Sequence, residues 1–449
     1  MFSESSLGTF KACLRGELIQ PGDPRYDQAR RVFNGLIDRR PALIVRCAGV
    51  ADVIAAVNFA RENDMRTAVR GGGHGVTGNA VCDDGVVIDL SAMKSVHVDP
   101  GKRTARAEGG ATWGIFDHET QAFGLATTGG IVPSTGIAGL TLGGGIGFLN
   151  RRYGLACDNL LSADVVSADG RLLHAGPAEH EDLFWALRGG GGNFGVVTSF
   201  EYRLHAVGPV LGGEIVFPLE QAQRVLRFYR DWSTAAPDEV RADATLIAGP
   251  EGPALDISVC YCGAPEEGEK VLEPIRLCGC PLVDTVATVP YTKVQNLLTE
   301  VFQPGRLHYW KAAFVRALGE DAVDAMVEFF ASTAPGFFAA IAIEHLGGAV
   351  SRVAAEESAF RHRKAQHSLL VLRMWEDPAE SEANMDWARR CYRTVEPFLE
   401  SGAYVNYLGD EGEARIVASY GPNHERLAVI KKKYDPTNFF RLNQNIRPG

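Results

Sequence analysis

Arg70-Gly71-Gly72-Gly73-His74-Gly75 follows directly on the run Arg66-Thr67-Ala68-Val69-Arg70. The alternating, β-branched run predicts a strand over 66–70 that ends in glycines. Consecutive glycines let a backbone turn sharply or approach another group closely. They also let successive N–H groups converge in a nest that binds phosphate without a helix. Gly73-His74-Gly75-Val76-Thr77-Gly78 fits G-x-G-x-x-G, and so does Gly190 to Gly195. In a dinucleotide-binding turn, however, the glycines open a helix whose N-terminus holds the pyrophosphate. Here the first match leads into Val76 to Gly85, which is too rich in glycine and aspartate for a helix, and the second leads into strand-like Gly195 to Phe200. Asp89 lies downstream at a strand end, but neither context supports a nicotinamide site. A histidine inside such a nest is unexpected for phosphate binding alone. His74 reads either as a loop histidine held by backbone hydrogen bonds or as a group with chemistry to perform.

Working outward, residues 1–205 show strands alternating with helices. Strands are predicted at 41–47 and 85–90, and a helix at 51–64 with Val53, Ile54, Val57 and Ala60 on one face. A hairpin turns at Pro100-Gly101, a helix runs from 112 to Gly124, and strand, turn, strand occupies 162–173. A short helix at 181–188 precedes a long strand at 195–205. Glycine clusters at 71–75, 143–147 and 189–195 and then stops. From 206 to about 405, long alternating strands and amphipathic helices predict a second, α+β domain with an antiparallel sheet. The tail, 406–449, carries a helix stopped by Asp435-Pro436.

The chain has 449 residues, a formal charge of -10, 46% hydrophobic and 22% charged residues. That is the composition of a globular protein able to bury large cores. The acidic balance gives no footprint for nucleic acid or anionic lipid. The longest basic run, Lys431-Lys432-Lys433, falls at the end of a predicted helix, where cations suit the dipole. No apolar run reaches the length of a spanning helix. The first 20 residues lack the basic and apolar regions of a secretory signal, and the nine cysteines are odd in number. Reduced thiols and a cytoplasmic location are the expectation. Cys260-x-Cys262 and Cys278-x-Cys280 permit a zinc reading, but the first pair lies in an alternating run where cysteine packs as a small hydrophobe; no metal is expected. There is no G-x-S-x-G elbow (Ser134 sits in VPSTG), and His362 and His367 are not in an HExxH frame.

RGGGHGVTGN at 70–79, GVVIDLSAM, the long block from Gly130 to Arg171, DLFWALRGGGGNFGVVTSF and the tail from Tyr420 to Ile446 together resemble the berberine-bridge-enzyme-like family. That family is a branch of the FAD-linked oxidases related to vanillyl-alcohol oxidase and p-cresol methylhydroxylase, and the resemblance covers residues 30–449. It implies an α+β, two-domain FAD-linked oxidase fold. The FAD-binding domain, 1–205, would hold two α+β subdomains; a substrate domain, 206–405, would carry an antiparallel sheet covered by helices; and 406–449 would return to the FAD domain. By this resemblance His74 matches the histidine bonded to the flavin 8α-methyl, a role that suits a neutral imidazole nitrogen. Arg70, Gly71, Gly72, Gly73, Gly75, Gly78 and Asn79 match the pyrophosphate loop. Val132, Pro133, Gly136, Gly143, Gly144, Gly145, Gly192, Val197, Asn406 and Asn443 match segments along the rest of the FAD.

One departure matters. Many members attach the flavin a second time, through a cysteine in G-x-C-P-x-V-G; here the segment is Gly130-Ile131-Val132-Pro133-Ser134-Thr135-Gly136, and valine cannot bond to flavin. A single 8α-histidyl link is expected. Cys157 falls in a different block and reads as packing. Thr135 stands where the family places a residue beside the flavin edge that influences oxygen access, with a hydroxyl in place of the usual aliphatic. On the substrate side, Tyr404-Val405-Asn406-Tyr407 matches the family's Y-x-N-Y segment, whose tyrosines face the substrate. A tyrosine is a poor base unless a neighbour helps it. The aligned positions for a helper are Ser368 and Leu370, neither of which is a base. Glu344 and Lys311 are the replacements offered, against readings as ion-paired charges; Tyr404 also reads as a cross-strand aromatic. The expected function is an oxidase that moves hydride from an alcohol, sugar or amine C–H to flavin and reduces dioxygen to hydrogen peroxide. The expected partners are therefore a small molecule and dioxygen. The alternatives are a dehydrogenase of the same fold with another acceptor, and a non-catalytic flavin- or ligand-binding protein.

Overall fold

The computed structural model describes residues 4–333 and 336–449. Its first half builds two larger sheets and a two-stranded pairing of Leu125–Ala126 with His205–Ala206. One has the strand order Glu17–Ile19, Leu43–Arg46, Val86–Asp89, Thr67–Arg70. The last three strands run parallel. Helix Val50–Glu62 makes the crossover and buries Val53, Val57 and Ala60 against Val45 and Ile88. Arg70 is thus the last residue of a parallel strand, and the glycine loop leaves from the carboxyl end of the sheet, where open α/β sheets bind ligands. The second sheet is antiparallel, in the order Val96–Asp99, Thr104–Glu108, Val196–Arg203, Leu160–Val166, Leu172–Ala175. The two sheets give the predicted pair of α+β layers.

The middle of the chain forms an eight-stranded antiparallel sheet. Its central path runs Val210–Pro218, Gly252–Tyr261, Val240–Gly249, Phe338–His345, His367–Trp375, Leu307–Phe314. One face is covered by helices. Ala222–Ala235 presents Ala222, Val225, Leu226 and Tyr229, a helical stripe that packs with Glu320–Ala331 and Ser381–Val395 over Ile341, Ile343, Leu369 and Val371. Side chains alternate across a strand, so Ala340, Leu370, Leu372 and Trp310 point the other way, toward Phe33 and Val76 of the first half. Strand His367–Trp375 is buried at every position, because it lies between these two cores.

The C-terminal helix Asn423–Tyr434 buries Leu427, Ile430 and Tyr434 in one cluster with Leu183, Leu187 and Phe194. The lysine run falls in the last turn of this helix, as the sequence predicts, and Lys431 has a further role there. Its ammonium is fully buried and donates to the Asp435 carboxylate and to the carbonyls of Asn193 and Phe440, so it ties the tail to the glycine-rich 190–195 segment. Cys260 is buried within its strand, while Cys262 lies just past the strand end. Among the described residues no group of three or more His, Cys, Asp or Glu is placed to hold a metal ion. No helix among them is long and apolar enough to cross a membrane.

Candidate active site

The glycine loop, the 131–142 segment, the tail and the large sheet meet at one cavity. Gly71 to Gly75, with His74 among them, form part of its wall. Gly72 permits the tightest approach: a Cβ there would lie 2.4 Å from the Gly136 backbone nitrogen, so two loops touch main chain to main chain. Gly73 has φ +66°, which glycine adopts without strain. The N–H groups of Gly72 to Gly75 donate to no described residue. Gly72 and Gly75 are exposed while Gly73 is buried, so these donors are open to a ligand, and an anionic diphosphate would supply them with an acceptor.

His74 is stacked on Phe33, with ring centroids 3.8 Å apart and planes 16° from parallel. Its Nε2 is buried and has no hydrogen-bond partner. Burial pushes its pKa down to about 4, so the ring is neutral at physiological pH. A neutral imidazole on a residue that lines the cavity is the kind of nucleophile that attachment to a flavin 8α-carbon requires. The donor loop and this imidazole fit a FAD.

The other expected cofactor contacts divide into two groups. Asn79, Val132, Gly136, Gly192, Val197, Asn406 and Asn443 line the cavity, as does Thr135. Arg70, Gly78, Pro133, Gly143, Gly144 and Gly145 lie off its wall. The Arg70 guanidinium is occupied by the Asp89 carboxylate, at 2.7 Å, and by the Ala29 carbonyl. Burial alone would raise the Asp89 carboxyl, but Arg70 holds it below its ordinary range. Both residues brace the strand end rather than touch a ligand. A Cβ on Gly143 would meet the Asn406 amide, one on Gly144 would meet the Phe360 ring, and Gly145 donates its N–H to Tyr404. These three glycines accommodate side chains behind the wall.

Tyr404 and Tyr407 both line the cavity, but their hydroxyls have different roles. The Tyr404 oxygen accepts from Gly145 N at 2.9 Å, Ile146 N at 3.3 Å and Asn406 Nδ2 at 2.7 Å. It is a fixed structural pin. Tyr407 donates to Glu344 Oε1 at 2.8 Å. Burial raises the Tyr407 hydroxyl far above its ordinary value, and the adjacent Glu344 charge raises it further, so it cannot ionise alone. Glu344 sits behind it, buried, with Oε2 unpartnered. Burial pushes its carboxyl up to about 7, against the pull of Arg241. Arg241 lies 3.6 Å from Glu344 and is itself held by Asp243 at 2.7 Å.

The remaining candidates fall away from this pair. Lys311 is on the opposite side of its strand from Trp310 and pairs with Glu411 at 3.3 Å, off the cavity wall. Ser368 is buried beside Glu344 in the strand register, and Leu370 lines the cavity as an apolar wall. Cys157 is buried off the cavity with its thiol raised by burial, and its Sγ faces Asp158 at 3.7 Å. Sequence reasoning missed Trp310 and Phe302 on the wall and the Arg241–Asp243 pair beneath Glu344. The signal was present in Val240 to Ala248, where polar residues at 241, 243 and 245 alternate with apolar ones and announce a polar inner face.

Comparison with known proteins agrees with this geometry. Residues 41–176 match the FAD binding domain family, and residues 403–447 match the berberine and berberine-like family. The chain is 34% identical over 455 residues to (R)-6-hydroxynicotine oxidase from Paenarthrobacter nicotinovorans, covering 97% of each. It superposes on the crystal structure of 6-hydroxy-D-nicotine oxidase from Arthrobacter nicotinovorans with a TM-score of 0.91 at 31% identity, covering 97% of this chain and 98% of that one. A glucooligosaccharide oxidase from Acremonium strictum, studied for its 6-S-cysteinyl, 8α-N1-histidyl FAD, superposes with a TM-score of 0.88 at 26% identity, covering 98% and 99%.

Proposed function

This chain belongs to the berberine and berberine-like FAD-linked oxidoreductases, and within that family we propose that it is an oxidase whose FAD is tethered through His74 alone. When bound, the flavin supplies the acceptor for a substrate hydride and delivers two electrons to dioxygen as hydrogen peroxide. The observation that carries the reading is the 2.8 Å hydrogen bond to buried Glu344 from Tyr407, which lines the same cavity as His74.

The chain's own residues divide the work. The N–H groups of Gly72 to Gly75 would hold the diphosphate, and Asn443, pinned to the Gly192 carbonyl at 2.7 Å, fixes another part of the wall. The tether is single because Val132 has no nucleophilic atom and Cys157 is elsewhere. Removing hydride from a C–H also needs an acceptor for the neighbouring O–H or N–H proton. Tyr407 takes that proton while passing its own to Glu344, so the charge ends on neither phenol nor substrate. A carboxyl near 7 is matched to that exchange at physiological pH. Thr135 stands at the dioxygen approach, and the substrate is a small alcohol, sugar or amine. The nine free cysteines suit a reducing, cytoplasmic compartment.

Anaerobic mixing with donor, followed by air, tests the reading. Bleaching of the flavin, rapid return of colour and one hydrogen peroxide per donor are expected. Bleaching with return of colour over many minutes and no peroxide assigns the dehydrogenase alternative instead.

A further inference from the structure

Away from the cavity, helix Trp113–Gln121 of the first half packs against helix Tyr291–Gln295 of the unit that carries the large sheet. Asp117 and Gln295 meet in the seam between them, and each is 1% exposed. The Gln295 amide uses both of its hydrogens. Nε2 donates to Asp117 Oδ2 at 2.7 Å and to the Gly130 carbonyl at 3.1 Å. Two oxygens of the pair are left over, Asp117 Oδ1 and Gln295 Oε1. Both are buried, and neither receives a hydrogen bond.

One protonation state closes this count within the protein. An ionised carboxylate only accepts, so it leaves both oxygens without a donor. A protonated carboxyl donates once, and Oδ1–H to Oε1 satisfies both oxygens with a single bond. The product is an acid–amide ring, N–H to oxygen on one side and O–H to oxygen on the other. The 2.7 Å bond already joins the two planar groups, and the leftover oxygens are their second oxygens.

Nothing charged offers an alternative partner. The Trp113 indole N–H and the Tyr291 hydroxyl, one turn away on the two helices, make no bond to Asp117. Lys293 on the facing helix and His97 on the adjoining strand Val96–Asp99 are exposed, as are His118 and Glu119 beside Asp117. Asp99 pairs with Lys102 at 3.5 Å. Burial raises the Asp117 carboxyl to about 7, against the Gln295 bond, which lowers it. Burial, and then Asp117, raise the Tyr291 hydroxyl well above its ordinary value, so Tyr291 stays neutral.

Gly130 gives the pair a consequence. It opens the segment whose Ile131, Val132, Thr135 and Gly136 line the cavity. The far end of that segment hangs on the same helix: Trp113 N–H donates to the Thr135 carbonyl at 3.0 Å, and Gly114 N–H to the Pro133 carbonyl at 2.8 Å. The wall is held at one end by main chain and at the other by a side chain from the sheet-bearing unit.

We propose that Asp117 and Gln295 are positioning residues, a neutral acid–amide clasp that sets the 130–136 wall of the cavity from behind and loosens when Asp117 loses its proton. The clasp touches neither substrate nor cofactor and stands independently of the oxidase reading.

Glu344 titrates in the same window, so the flavin-loaded Glu344→Gln enzyme is the reference, and Asp117→Asn is added to it. Asparagine can make both hydrogen bonds of the ring and cannot ionise. At pH 6 the reference is expected to show a protonated-carboxyl band in the infrared that Asp117→Asn removes. No such difference means an ionised acid and overturns the proposal. In urea, the unfolding constant of the reference relative to the Asp117→Asn variant is expected to rise about 500-fold from pH 4 to pH 8, because the folded acid keeps a proton that the unfolded one loses. A ratio independent of pH overturns the clasp. The flavin absorption band reports on the wall. It is expected to move with a midpoint near 7 in the reference and to stay fixed with Asp117→Asn. A band that behaves alike in both overturns the positioning role. Should Asp117→Asn not fold, Gln295→Leu replaces it: loss of the amide is expected to shift the carboxyl band, and an unshifted band overturns the pairing. The infrared and urea measurements involve no electron transfer, so their outcome is separate from that of the oxidase reading.

Discussion

Glu344→Gln separates catalysis from stability because the two respond with opposite sign. Burial raises the Glu344 carboxyl from 4.5 to about 7 in the folded chain. Each pKa unit corresponds to about 1.36 kcal/mol, so holding this group ionised costs the fold roughly 3 kcal/mol. The direction follows from proton counts. Between 4.5 and about 7 the folded state keeps a proton that the unfolded state has lost, so this group's contribution to stability falls as pH rises through that window and is level above it. Glutamine cannot ionise and removes the whole effect. It also turns an amide donor toward Arg241, a loss of about 1 kcal/mol. The variant is therefore expected to be more stable than the wild type by about 2 kcal/mol near pH 8 and no more stable near pH 4. Catalysis moves the other way. Loss of a general base lowers kcat by about 10²–10⁴. The wild-type kcat rises with pH through about 7, as the carboxylate forms, and that limb is absent from the variant. Urea unfolding at the two pH values and anaerobic bleaching across the range supply both measurements. A variant within tenfold of the wild-type rate, or one that keeps the limb near 7, would assign the proton to another group and refute the reasoning.

Three further outcomes follow from the geometry. His74→Ala releases its flavin on acid denaturation, leaving a colourless pellet where the wild-type pellet is yellow; yellow protein after denaturation would place the link elsewhere. Cys157→Ala leaves the pellet as yellow as wild type, because its thiol is buried off the cavity. Asp89→Ala strands the buried Arg70 guanidinium without its carboxylate, 2.7 Å away in the native chain, and is expected to cost about 3–5 kcal/mol in urea unfolding. Asp89→Asn, which keeps hydrogen-bond acceptance, loses less.

The local elements were readable because each depends on neighbours in sequence. The strand at 66–70 running into glycine, the helix face of Val53, Val57 and Ala60, and the stop at Asp435-Pro436 all depend on short-range pattern. Rejecting a dinucleotide turn also needed no more than the residues after Gly75, and the structure shows no helix there. Gly143 to Gly145 mark the limit of such reasoning. A glycine run announces close approach without saying to what. Here the approaching groups are Asn406, Phe360 and Tyr404, which come from more than 200 residues away.

The choice between Lys311 and Glu344 shows why the site itself was only half legible. Both are charged residues in apolar strands, and on a strand a one-residue difference exchanges the two faces. Only strand register decides which face is which. Lys311 pairs with Val371, a member of the core beneath the helices, so it points away from the cavity and finds Glu411. Glu344 pairs with Ser368, two residues from cavity-lining Leu370, and so shares the cavity face. The Lys311–Val371 register joins residues 60 apart and the Glu344–Ser368 register residues 24 apart, and Arg241, which counters the Glu344 charge, arrives from a third strand about 100 residues earlier. The same pairing that hides the acid from sequence reasoning gives it its function. A carboxyl at the edge of a sheet would be solvated and fully ionised, but one enclosed between strands, with a single arginine 3.6 Å away, stays near 7 and can exchange a proton with Tyr407.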